Sequence, residues 1–116
     1  MVPMYIDRMR NTARIPVERV QTGIRMEKRI LKVLKGLAEY HDLTLGDLLE
    51  GIVLHAFEGK APFGPTSRAK ILELRKVYNL DLDATASHRL VERREAEGAA
   101  LARKGPRSGR QMKEER

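Results

Sequence analysis

The sequence predicts a mainly α fold assembled as a homodimer, in which one short strand of each chain pairs antiparallel with its copy and further helices follow toward the C-terminus. Three observations predict it. Residues 19–30, RVQTGIRMEKRI, begin with strict alternation: Val20, Thr22, Ile24 and Met26 are interleaved with Arg19, Gln21, Gly23 and Arg25. From Ile30 onward apolar residues recur every three or four places, so a strand period gives way to a helix period. Two such helical stripes follow, separated by a short polar link. Finally, no second strand-like run exists, and a lone strand is not stable in water. Pairing therefore falls to a second copy about a two-fold axis, because roughly 40 residues per chain cannot close an adequate core alone.

The 116 residues suffice for one small domain and not for two ordinary cores. Twenty-three Lys and Arg against sixteen Asp and Glu give a net charge of +7 and a pI near 10.1, a field that favours polyanions, nucleic acid first. Residues 1–35 hold nine of the cations against Asp7, Glu18 and Glu27, whereas residues 36–59 hold none and carry Glu39, Asp42, Asp47, Glu50 and Glu58. The absence of cysteine excludes disulfides, thiolate nucleophiles and Cys-rich zinc sites, and agrees with a reducing compartment. MVPMYIDRMR has no apolar core of signal-peptide length, and no apolar run approaches the roughly 20 residues of a membrane span. The expectation is a soluble cytoplasmic protein with no membrane partner.

Taken in order, residues 1–17 lack periodicity and are bracketed by Pro3 and Pro16, which reads as a flexible basic arm. Residues 20–26 read as the strand, with one face apolar and the register fixed by it. Residues 27–41 form a helix with Ile30, Leu31, Leu34, Leu37, Ala38 and His41 on one stripe; Gly36 weakens it by about 1 kcal/mol relative to Ala and allows close helix contact. Thr44 is a good N-cap for the next helix, 45–58, with Asp47 at the capping-box position. Leu45, Leu48, Leu49, Ile52, Val53, Ala56 and Phe57 fit its spacing without a miss, and Gly59 can end it in the left-handed conformation. APFGP, 61–65, is a turn. Thr66 or Ser67 is placed to cap a third helix to about Tyr78, and Asp83 or Thr85 a last one to about residue 102, whose sparse apolar residues cannot pack it independently. The tail, 103–116, has six cations against Glu114 and Glu115 and reads as a disordered basic tail. The organisation is therefore an arm (1–17), a dimerisation core (18–59), a helical C-terminal extension (60–102) and a tail.

The order strand, helix, short link, helix over residues 19–59, carried by VQTGIRMEKRILKVLKGLAEYHDLTLGDLLEGIVLHAF, resembles the ribbon-helix-helix family of DNA-binding repressors, to which the Arc and methionine repressors belong. The resemblance implies a homodimeric transcriptional regulator that inserts a two-stranded ribbon into the major groove of double-stranded DNA. Gln21, Gly23 and Arg25 would then face base edges, with Arg25 suited to guanine O6 and N7 and Gln21 to adenine N6 and N7. Arg19 would meet phosphate, as would the N–H groups of Thr44, Leu45 and Gly46 at the start of the second helix. Gly23 offers no side chain where the family commonly places a polar reader, and the second helix opens with Asp47 and Glu50 instead of cations. The basic arm and tail can supply salt-sensitive phosphate contacts in their place.

A second expectation is an antitoxin-like or adaptor protein whose residues 60–102 bind a partner protein, since the core over 18–59 does not need them. Paired carboxylates, phosphate loops and activated nucleophiles do not stand out, so no catalytic residues and no cofactor are expected. His41, His55 and His88 are too scattered for a metal site. Ser87 and His88 are adjacent, and neighbours on a helix point apart.

Overall fold

The computed structural model describes residues 5–8 and 13–93. Its regular elements are a 3-10 turn at Ile6–Arg8, three α-helices, α1 Lys28–Tyr40, α2 Leu45–Phe57 and α3 Pro65–Val77, and a second 3-10 turn at Ala84–Ala86. The described residues fall into two compact units, one built from the N-terminal residues to Pro16 with Lys28–Asp81, the other from Val17–Glu27 with the residues from Leu82 onward.

In the first unit α1 is central: α2 packs on one flank and α3 along another. α1 buries Val33 as well as Leu37 and Ala38, although Val33 lies off the single stripe expected of it. The core is Ile6, Leu37, Ala38 and Leu48, with Leu34, Leu43, Ile52, Phe63, Ile71 and Leu74 packed against it. Gly36 faces α3, where an added Cβ would come within 2.9 Å of Leu74 Cδ2, so the missing side chain is what lets the two helices approach.

Each helix end has a local cause. Thr44 caps α2, its hydroxyl oxygen accepting the Asp47 N–H at 3.0 Å. Gly59, at φ +69°, closes α2 in the left-handed region, with the Lys60 N–H reaching the His55 carbonyl at 2.9 Å. Asp42 and Asn79, at φ +62° and +57°, do the same for α1 and α3, and Leu43 and Leu80 return their N–H groups to Ala38 and Arg75 at 2.9 Å. α3 starts two residues earlier than a Thr66 cap would give: Pro65, whose missing N–H costs nothing at a first helical position, opens it, and Gly64 stands at the N-cap with no side chain to offer.

The cap comes instead from the N-terminal segment. Asp7 accepts the Gly64 N–H on Oδ1 at 2.8 Å and the Ser67 N–H on Oδ2 at 3.0 Å. Neither Thr66 nor Ser67 plays the part expected of it. Burial pushes the Asp7 carboxyl up, but hydrogen bonds from the Ser67 hydroxyl, the Ser67 N–H and the Gly64 N–H outweigh it and hold the group below its ordinary value of 3.8. A carboxylate whose folded pKa is depressed contributes stability that is complete above the unfolded value and is lost as pH falls through the folded one. Urea midpoints measured against pH are therefore expected to stay level near neutrality and to decline below about pH 4, with Asp7→Asn removing part of that decline.

The intersubunit ribbon is overturned, and with it the ribbon-helix-helix architecture; the mainly α class stands. Among the described residues no β-strand forms, and Val17–Glu27 lies outside every helix and ladder, with Val20 and Ile24 exposed at 78% and 69%. Alternation alone does not make a strand. Sheet stability comes from cross-strand side-chain pairs, and Gly23 at the centre contributes none while raising the backbone entropy to be lost. The long last helix is likewise replaced, as far as residue 92, by a short turn in which Asp83 Oδ1 accepts the Thr85 N–H at 3.0 Å. The rest of that helix and the tail at 103–116 lie outside the described residues. No described helix is long and apolar enough to cross a membrane.

Candidate nucleic-acid interface

α1 turns its packed side toward α2 and α3, which fixes what it shows to solvent. Lys28, Lys32 and Lys35, spaced i, i+4 and i+7, are all exposed and share that outer face with Glu39. Seven residues of helix rise about 10 Å, on the order of three phosphate steps along one DNA strand. Lys32 is steadied where it stands, its Nζ lying 5.7 Å from the centre of the Tyr78 ring.

The other cation on this helix is spent on the fold. Arg29 Nη1 donates to the Asn79 carbonyl at 3.0 Å and to Asp81 Oδ1 at 3.1 Å, tying the start of α1 to the end of α3. α3 adds exposed Arg68 and Lys76. Its Lys70 is bonded to Glu73 at 3.1 Å and lies 4.9 Å from the Tyr40 ring centre. α2 is the opposite pole, with Asp47 and Glu50 and no Lys or Arg. Positive charge is thus gathered on α1 and α3.

The expected base-reading residues lie in the second unit. Arg19, Gln21 and Gly23 are exposed in a stretch without regular structure. Arg25 is engaged by Glu92: its Nε donates to Oε1 at 3.2 Å and Nη2 is bonded to Oε2, a two-point ion pair that occupies the edge expected to meet guanine. The expected phosphate donors Thr44, Leu45 and Gly46 form the first turn of α2, in the first unit. The Thr44 oxygen is already taken by Asp47, whose own carboxylate opposes an anion there.

Sequence reasoning missed a buried polar cluster. Ser67 is fully buried, its Oγ lies 2.7 Å from His41 Nε2, and its hydroxyl is also bonded to Asp7. A hydroxyl sealed from solvent and bonded on both sides joins elements and does not meet a substrate. Asp7 and Ser67 stand 60 residues apart, so no local pattern could have linked them. The lysine ridge was not singled out as a site either, although its spacing could have shown it. Nor is the C-terminal extension free for a partner throughout: Ile71 and Leu74 of α3 pack against the core, leaving Leu72, Val77, Leu90 and Val91 exposed. Comparison with protein-family models, with curated proteins and with solved structures finds no match to this chain.

Proposed function

We propose that this protein is a regulator that binds double-stranded DNA, and that α1 provides the phosphate-facing surface. The observation that carries the reading is the ridge of Lys28, Lys32 and Lys35 on the solvent face of a helix whose opposite side is the core. Three cations on one rigid face neutralise neighbouring phosphates without ordering a loop, which releases counterions at little conformational cost. Arg19 and Gln21, exposed in the second unit, offer a phosphate and a base contact of their own. Arg25 joins them only when Glu92 gives it up. Glu92→Gln is therefore expected to raise affinity for duplex DNA several-fold at low salt; unchanged affinity would remove Arg25 from the interface.

The same proposal takes the chain as a homodimer, joined through α2. Residues Leu45–Phe57 are apolar around most of the helix, yet only Leu48 is buried, while Leu54 and Phe57 are exposed at 64% and 80%. A broad apolar face left uncovered within one chain is ordinarily covered by another. Phe57→Ser is expected to shift sedimentation at micromolar concentration toward the monomer, and a wild-type chain that sediments as a monomer throughout would exclude the dimer. DNA binding is tested by titrating a labelled duplex with the full chain at several salt concentrations. Affinity that falls steeply with salt is expected, and no measurable affinity at about 50 mM salt would contradict the function.

A further inference from the structure

Tyr5–Arg8 is attached to the first unit by contacts of different kinds on different elements. Ile6 is only 3% exposed and belongs to the core with Leu37, Ala38 and Leu48. Its N–H donates to the Pro62 carbonyl at 2.9 Å. Asp7 takes the Gly64 and Ser67 N–H groups at the start of α3. Two glycines make room for these contacts. A Cβ at Gly51 of α2 would stand 3.4 Å from Ile6 Cδ1, and one at Gly64 would stand 2.8 Å from Tyr5 Cδ2 and 2.9 Å from Asp7 Oδ2. The segment therefore touches α2 through Ile6 and α3 through Asp7.

We propose that Tyr5–Arg8 is a strap, a separable piece of the fold that closes the corner between α2 and α3 and, while seated, supplies the cap that α3 lacks. A helix N-terminus exposes backbone donors that a side chain at the N-cap normally satisfies, and Gly64 has none to give. α3 has thereby surrendered its own cap to a residue 57 positions upstream, so the order of its first turn is coupled to the seating of the strap. Ser67 extends the coupling to the end of α1, since its buried Oγ lies 2.7 Å from His41 Nε2. When the strap lifts, two N–H groups lose their acceptor and the Ile6 seat between Leu37, Leu48 and Gly51 is vacated. The packing of α1 on α2 need not break. The strap is thus a conformational device: a small local opening that loosens one end of α3 while leaving the central helix in place.

The strap does not depend on the DNA-binding reading, and its test is independent of it. Amide hydrogen exchange is followed by NMR on the full chain and on two variants. In Asp7→Asn the Gly64, Ser67 and Ile6 amides are expected to exchange about five- to tenfold faster, the effect of weakening an N-cap, while Leu37 and Ala38 change less than about twofold. Gly64→Ser separates the two roles, because it returns a cap to α3 and places a Cβ against Tyr5 and Asp7. The Ile6 amide is then expected to lose protection while the Ser67 amide keeps it. Equal acceleration at every amide in Asp7→Asn would show that the segment opens only with the whole domain and would overturn the proposal. So would unchanged exchange at Gly64 and Ser67, or loss of Ile6 and Ser67 protection together in Gly64→Ser.

Discussion

Leu48→Ala is expected to destabilise the protein by about 3 kcal/mol, within the range of about 2–5 measured for fully buried leucines. Leu48 is fully buried and is the one residue of α2 in the core, where Ile6, Leu37 and Ala38 surround it. The cost has two parts. Three carbons lose their transfer free energy, and the neighbours cannot collapse into the hole because Leu37 is held by helix packing from both sides. A domain of this size holds on the order of 5–15 kcal/mol in total, so one such change removes a large share. Guanidinium denaturation of the full chain provides the measurement, with Leu72→Ala as its companion. Leu72 is an exposed leucine on α3, and its truncation is expected to cost less than about 0.5 kcal/mol. Similar losses for the two would mean that the core does not lie where the packing of α1, α2 and α3 puts it.

Replacing Lys28, Lys32 and Lys35 together by alanine is expected to weaken duplex binding about 10²–10³-fold at about 0.1 M salt, taking each lysine as one phosphate contact. Stability should hardly change. All three side chains are exposed, and alanine is the better helix former, so the folded state loses only the hold of Lys32 on the Tyr78 ring. Arg29 is the control on the same helix: it is committed to Asn79 and Asp81, so Arg29→Ala should lower stability more than affinity. Fluorescence anisotropy gives the affinities and thermal unfolding the stabilities. An equal loss of affinity from Arg29→Ala and from the triple substitution would mean that net charge matters and the ridge does not.

How far the fold could be read from the sequence depended on how local its causes are. α2 was legible from end to end, because Thr44, the apolar spacing and the left-handed Gly59 all act within a turn or two of chain. The apolar stripe of α1 was legible, but the burial of Val33, which lies off that stripe, was not. The cap of α3 was illegible: Gly64 gives no cue of its own, and Asp7 acts from far away in sequence. Val20–Met26 misled because alternation reports which side chains share a face and says nothing about whether an edge is present to pair with. Arg25 illustrates the same limit at the candidate site. Its residue type suits guanine, but only the fold reveals that Glu92 already holds it.

The most direct test of DNA binding through α1 is the slope of log affinity against log salt, measured with a duplex of roughly 25 base pairs for the wild-type chain and for the triple lysine variant. The expected result is a steep negative slope for the wild type and one shallower by about two to three for the variant, about 0.9 for each phosphate no longer neutralised. Identical slopes, or a wild-type affinity indifferent to salt, would contradict it.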